Sequence, residues 1–475
     1  MTGDRESTER AVGSSRLAIA RSHLRPGVPA LCGMAAFLTF LIGIAGPSLW
    51  IDEGHTWRYA TEPLGNMLTT TTGSTNAVEA VYYALLHFWI GIAGTSEAAL
   101  RLPSAVAMAL AVWAASKTAG DAVGTRAAAI AGFVMIALPG VARYAQEARP
   151  YAFAVAGVAV STFMLFRGVT RNERRWWVGY AASLVVVGYF HLLSMLVVPG
   201  QLVAMLFIGP RQWRGFALAA VAACLAVLPV AVLGFAQRGQ IGWISLAQFD
   251  YLWTGLSVLT GSLAVTACLA ILVVASHGDR RLMALGLPTA LATPVLLWIL
   301  GMLTPLYLAR YLLGAAAGIA ILVAAACSTM RTARVLALAA ILVGLVLPIQ
   351  IDYRGPAAHN QDYRGAAELV ATDCSARIAY DGMSRDAMDY YLRQQPCAPT
   401  ETAPGDRSDD RPGDHLWVVQ ADGPQVSEPG YELVRTTAFG MAIVTYWVAT
   451  PVTLDQGHGA AVLTGCTVGR SGRVS

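Results

Sequence analysis

Charge is what this chain has least of. Of its 475 residues only 13% are Asp, Glu, Lys or Arg, against ~25% in a soluble domain, and Lys117 is the one lysine. That scarcity excludes an ordinary water-soluble fold. A net charge of +4, spread between apolar runs, offers no basic patch, so nucleic acid is not expected as a partner. No acidic residue falls inside any of the long apolar runs. Intramembrane charge marks ion and proton paths, so its absence weighs against a proton-coupled carrier. Cysteines are few. Cys32, Cys224, Cys268 and Cys327 lie within apolar runs and read as buried thiols, whereas Cys374 and Cys397 lie in the one long polar region.

What the chain has in abundance is apolar sequence, 56% of all residues. A spanning helix needs ~20 mostly apolar residues. Runs near that length occupy 29–47, 101–119, 127–142, 151–167, 176–190, 192–209, 215–235, 252–275, 282–303, 309–327 and 335–351. They predict an α-helical polytopic membrane protein of about 11 transmembrane helices. The shorter run 81–94 reads as an interfacial helix. Three regions follow: a tail 1–28, a transmembrane domain 29–351 with a first outer loop at 48–100, and a polar C-terminal domain 352–475. That last region alternates helix-like stretches (362–371, 386–394) with strand-like ones (376–380, 415–420, 441–449), as a small α/β domain does.

Arginine sets the orientation, because short basic loops stay in the cytoplasm. The tail holds Arg5, Arg10, Arg16, Arg21 and Arg25, and alternation then puts the basic loops 168–175, 210–214, 276–281 and 328–334 on the same side. The C-terminal domain is thereby expected outside a cell membrane. In that oxidising exterior Cys374 and Cys397 are candidates for a disulfide.

Polar residues collect at the outer helix ends. Asp52 and Glu53 follow the first span directly; a wet helix cap explains such a pair, and so does a general base for an acceptor hydroxyl. Arg143, Glu147, Arg149 and Tyr151 crowd the link between two spans, where Glu147 and Arg149 have a rim salt bridge open to them. Arg310 stands on the same side. Arginine presents a fork of donors that matches phosphate oxygens, which makes Arg143, Arg149 and Arg310 candidates for binding a phosphate. His191, at an outer turn, is a weaker one. Arg101 follows Glu97 by four residues, the spacing of a helical ion pair. Trp50, Trp57 and Trp89 fit an interfacial aromatic belt. His55 and His87 with Asp52 and Glu53 match no closed metal motif; no cofactor is expected, and a divalent metal stays open.

The order of these motifs carries more than any one of them. Leu49-Trp50-Ile51-Asp52-Glu53, then Tyr82-Tyr83-Ala84-Leu85-Leu86-His87-Phe88-Trp89, then Leu100-Arg101-Leu102-Pro103-Ser104, then Tyr144-Ala145-Gln146-Glu147-Ala148-Arg149-Pro150-Tyr151 together resemble the bacterial GT-C glycosyltransferases, the branch of protein O-mannosyltransferases and the lipid A aminoarabinose transferase. The resemblance spans roughly 29–350. It implies a GT-C-like fold, a polyprenyl-phosphate-linked sugar as donor, an outward-facing site and inversion at the anomeric carbon. By the same resemblance Asp52 is the catalytic carboxylate, Glu53 its partner, and Glu147 and Arg149 the second motif. His55, Asn76, Tyr82, Tyr83 and Tyr151 are the expected sugar- or acceptor-binding residues. The sequence departs from the family at 76–81, where Asn-Ala-Val-Glu-Ala-Val replaces the usual His-Pro-Pro neighbourhood, and this leaves the acceptor open between glycan, glycolipid and protein. By analogy with actinobacterial envelope glycans, mannose or arabinofuranose are the expected sugars. A lipid-carrier flippase and a catalytically lapsed GT-C scaffold are the rival readings.

Overall fold

The computed structural model describes residues 27–356, 358–403, 411–421 and 427–450. The five arginines of the tail on which the orientation rests lie outside the described residues.

The membrane part begins with α1 (Gly27–Leu41). A first capping region follows with α2 (Ile51–Thr61), α3 (Leu64–Gly73) and α4 (Ala80–Ala93). The bundle then runs through α5 (Glu97–Val123), α6 (Thr125–Ala137), α7 (Pro139–Ala145), α8 (Tyr151–Arg171) and α9 (Arg174–Phe190). It continues with α10 (Val197–Ile208), α11 (Trp213–Ala236), α12 (Tyr251–Thr260), α13 (Leu263–Val274), α14 (Arg280–Leu303), α15 (Ala315–Cys327) and α16 (Thr332–Asp352). Side chains fix several starts: Ser96, Ser262 and Asp279 each accept the backbone N–H three residues on, which satisfies one of the donors that a helix N-terminus leaves free.

Five of the described helices are long and apolar enough to cross a membrane, or seven if two bent pairs each count as one span. The expected eleven is more than this criterion supplies. Several apolar runs fold into helices that are too short. The 15 residues of α1 rise only ~22 Å, against a hydrocarbon core of ~30 Å. The run 252–275 is not one straight span, because α12 and α13 meet at 91°. Gly261 makes that corner with φ +93°, and a Cβ there would sit 2.6 Å from the Pro139 ring, so only glycine fits. Likewise the run 309–327 opens with a single 3-10 turn before α15. Cys327 is buried as expected, but Cys224 and Cys268 are exposed on the helix surface. An apolar thiol facing lipid needs no burial inside protein.

Two helices, α17 (Tyr363–Val370) and α18 (Arg385–Leu392), accompany five strands: β1 (Arg377–Tyr380), β2 (Thr400–Glu401), β3 (His415–Gln420), β4 (Tyr431–Phe439) and β5 (Ala442–Ala449). The sheet order is β2-β1-β3-β5-β4, parallel from β2 to β3 and antiparallel beyond. Helix and strand expectations hold here, and the two-residue β2 and the longer β4 are the strands they lack. Residues 432–436 of β4 are exposed, so this edge shows no apolar alternation to read. Cys374 and Cys397 form a disulfide with their Cα atoms 6.0 Å apart.

This small domain is not a loose appendage. Tyr363, Ala367, Met388 and Trp417 share one buried cluster with Leu49, Trp57, Tyr82 and Tyr83 of the capping region. Helices α2 and α18 cross in close contact, so that a Cβ on Gly54 would lie 2.6 Å from the Ala387 nitrogen. The domain therefore holds α2 against the end of the bundle.

Candidate active site

The site is built at the capped end, around the first turn of α2. Asp52 and Glu53 are neighbours there, and the helix gives them opposite environments.

Glu53 points inward and is fully buried. Arg101 of α5, equally buried, grips it with two parallel bonds, Nε to Oε1 at 2.8 Å and Nη2 to Oε2 at 2.7 Å. The Ala148 N–H donates a third at 2.7 Å, and the His359 ring nitrogen stands at 3.6 Å. Arg101 also donates to the carbonyls of Ile44, Pro47 and Ser48. Glu53 and Arg101 thus clamp the segment leading into α2. The expected pair of Arg101 with Glu97 does not form; Glu97 instead accepts from Arg364 at 2.5 Å and from the Tyr391 hydroxyl. A buried guanidinium takes the partner that satisfies most of its donors, and four carbonyl and carboxylate groups outbid one helical neighbour.

Asp52 points the other way, 22% exposed, with one carboxylate oxygen free of any hydrogen bond. Two arginines flank that oxygen, Arg310 at 3.4 Å and Arg149 at 3.9 Å. Arg149 also donates to Thr56 Oγ1 at 3.2 Å and pairs closely with Glu79, so no Glu147–Arg149 salt bridge forms. Glu79 in turn accepts from the Tyr83 hydroxyl, one helical turn on. In the sequence Glu79 stands only within the departing stretch 76–81. Its spacing to Tyr83 was the available signal.

Aromatic rings line the space beside these charges. Arg310 lies over the rings of Trp50 and Tyr151, 5.6 and 6.0 Å from their centroids. Tyr151 is flanked by His191 and Tyr311, so Trp50 belongs to the site and not to an outer belt. His191 shares Nδ1 with Ser194 Oγ at 2.8 Å; burial, with Arg310 and Arg149 beyond it, pushes its pKa down to about 3. It therefore stands as a neutral ring. Arg143 has no carboxylate in contact among the described residues and lies over the Tyr144 and Tyr353 rings.

Glu147 is the odd member. It sits in the link between α7 and α8, fully buried, with neither oxygen hydrogen-bonded. Burial pushes its carboxyl up to about 8, against the pull of Arg143. A neutral Glu147 leaves three arginines (143, 149, 310) facing two carboxylates (52, 79), because Glu53 is spent on Arg101. The cluster carries a surplus of positive charge, as an anion site requires.

Other expected residues fall elsewhere. His55 turns from Asp52 towards Asp386 of α18, 3.4 Å away. Tyr82 is buried beneath the site against Phe153 and Phe190. Asn76, in the left-handed conformation, donates its backbone N–H to Gln240, and so shapes the turn that delivers Glu79. His87 bonds the Ala60 carbonyl. Among the described residues no three His, Cys, Asp or Glu side chains converge as metal ligands.

Residues 80–235, less than half of the chain, match the family model described as dolichyl-phosphate-mannose-protein mannosyltransferase. No curated protein matches. Among solved structures, ArnT from Cupriavidus metallidurans bound to undecaprenyl phosphate is similar at 14% identity, over 88% of this chain and 97% of that one, with a TM-score of 0.61. Its apo form gives the same identity and coverage with a TM-score of 0.58. At such identity the likeness establishes the fold.

Proposed function

We propose that this chain, whose fold is like that of ArnT, moves a sugar from a polyprenyl-phosphate donor to a cell-envelope acceptor, with Asp52 as the general base. The observation that carries this reading is the free Asp52 oxygen between Arg149 and Arg310. A base and two phosphate-seeking forks meet in one place. The acceptor O–H gives its proton to Asp52 while its oxygen attacks the anomeric carbon. The bond from that carbon to the phosphate oxygen breaks on the opposite face, so configuration inverts and the lipid phosphate leaves. Negative charge grows on the departing phosphate, where fixed guanidinium groups stabilise it most. Arg310 and Arg149 are the nearest, Arg143 adds charge, and neutral His191 offers one further hydrogen bond. Tyr83 and Tyr151 line the sugar's side.

An apolar groove of about 650 Å³ between α4, α5, α8 and α9, lined by Leu85, Phe88, Leu102, Phe153 and Val186, suits the donor's isoprenoid tail. Phe153 links it to the site through Tyr82. That the ArnT structure holds undecaprenyl phosphate supports a polyprenyl carrier here. The alternation of basic loops supports an outward-facing site in the cell membrane; mannose or arabinofuranose is the sugar proposed, by analogy with envelope glycans, and the acceptor is a glycan, glycolipid or protein.

The test is transfer from polyprenyl-phosphate mannose and polyprenyl-phosphate arabinofuranose to native envelope glycan by purified protein, beside Asp52→Asn. A positioned base is worth ~10²–10⁴-fold, and the variant is expected to lose that much with its melting temperature unchanged. Full turnover by Asp52→Asn sinks the assignment.

A further inference from the structure

The opposite face of α2 carries a second polar constellation that the transfer chemistry does not use. We propose that the seam between α2 and α18 binds a neutral glycan, as a docking site for the acceptor chain. This rests on the reading of the chain as a glycosyltransferase.

The two helices cross at Gly54 and Ala387 and diverge from there. A cleft of about 430 Å³ opens between them, lined by Arg58 and Glu62 on one side and Arg385, Asp386, Asp389 and Arg393 on the other. Its volume is that of an ordinary small-ligand pocket, ~300–1,000 Å³. Its charges balance, three guanidinium groups against three carboxylates, so it holds no surplus to draw in a phosphate or a cation. A polyol is what such a mixture recognises: hydroxyl hydrogens go to carboxylates, and hydroxyl oxygens take N–H donors from arginine.

Asp386 is the buried acid of this cleft. Only 5% exposed, it has one carboxylate oxygen with no hydrogen bond. His55 Nε2 stands 3.4 Å from that oxygen and Arg58 Nη1 3.5 Å from its neighbour, and neither forms a hydrogen bond with the carboxylate. The oxygen beside His55 is shielded from the cleft; a sugar hydroxyl seated there donates instead to the other carboxylate oxygen, the one 3.5 Å from Arg58 Nη1.

Beside this cleft lies a second of about 400 Å³ that shares Trp57, Thr61 and Arg393 with it and extends to Ser96 and Gln394. The two form a trough on the far side of α2 from Asp52, about one helix diameter (~10–12 Å) away. An acceptor seated there presents a neighbouring sugar unit, not the same one, to the base. Recognition of the chain and reaction of its end are then separate tasks.

The measurement is saturation-transfer NMR on the full purified chain in detergent micelles. Mannotriose and an arabinofuranose trisaccharide are the probes, and wild type is compared with the double variant Asp389→Ala/Arg393→Ala and with Asp386→Asn. Asp389 and Arg393 lie near the rim, so the melting temperature is expected to hold. The wild type should bind one of the neutral trisaccharides, and the double variant at least tenfold more weakly. No saturation transfer to either probe, or binding that is equal in wild type and both variants, overturns the cleft. Sugar transfer from donor, run in parallel, separates the two readings. Turnover without cleft binding removes the docking site and leaves Asp52 in place. Cleft binding without turnover keeps a glycan site and removes the transferase.

Discussion

Most arginines at one end of the helix bundle are solvated, Arg167 beside Asp121 excepted, whereas those that build the site at the other end are buried or half-buried. At the end away from the C-terminal domain, Arg171, Arg174, Arg175, Arg211, Arg214, Arg280 and Arg331 are exposed. At the capped end Arg101 is wholly buried, Arg149 nearly so, and each has a carboxylate fixed against it. Solvated arginines cost little and merely bias topology. Desolvating one costs several kcal/mol, which only well-placed partners return. The buried arginines are therefore the ones with tasks, and those tasks differ. Arg101 builds the frame, while Arg149 and Arg310 face open space beside Asp52.

The largest break in this contrast is expected from Arg101→Met. It strands Glu53 as an uncompensated charge at zero exposure, a loss of ~3–5 kcal/mol, and it frees three backbone carbonyls of the segment before α2. Thermal unfolding of the solubilised protein should show a fall of many degrees or no folded protein at all. Adding Glu53→Gln removes the stranded charge and should recover part of the loss. No recovery in the double variant would mean that the carbonyl bonds, and not the ion pair, are what Arg101 contributes.

The sequence makes one end of this comparison easy to read and the other hard. Apolar runs mark the helices, and the basic loops between them are local features, so the helix bundle and the interfacial helix at 81–94 are visible in order. Asp52, Arg149 and Arg310 are legible too, as charges at helix ends. Which partner each charge chooses is not, because the bonds cross long stretches of chain. Glu53 and Arg101 are 48 residues apart, and only the tertiary fold brings them together. The local spacing of Glu97 and Arg101 points to a pair, yet Arg364 and Tyr391 from the C-terminal domain claim Glu97. For the same reason Glu79 was hidden and His55 misplaced: the side of α2 that meets the domain is set by Gly54 and Ala387, a contact that no local pattern announces. The corner at Gly261 is hidden in the sequence, because a glycine within an apolar run reads as an ordinary span residue.

A middle-sized effect should come from Glu147, which is buried like Glu53 but has no partner. An unfolded glutamate releases its proton near 4.5 and the folded one near 8. Between those values the unfolded chain binds fewer protons, so stability falls as pH rises through that window. Glu147→Gln removes the titration. Its melting temperature should exceed that of the wild type above pH 7, by an amount that shrinks towards pH 5. Parallel melting curves across this range would place the Glu147 proton elsewhere.

The smallest effect is expected at the opposite end, from Arg175→Ala. Arg175 and Glu173 form an ion pair at 2.6 Å, slightly shorter than the 2.7 Å of Arg101 and Glu53. If distance set the value of a pair, the two would matter alike. Here the side chains are 70% and 40% exposed, water and salt screen the attraction, and such pairs are worth ~0–1 kcal/mol. The variant should melt within a degree or two of the wild type and transfer sugar at the same rate. A loss comparable to Arg101→Met would mean that burial is the wrong measure of these arginines, and that the two ends of the bundle do not differ in the way their exposure implies.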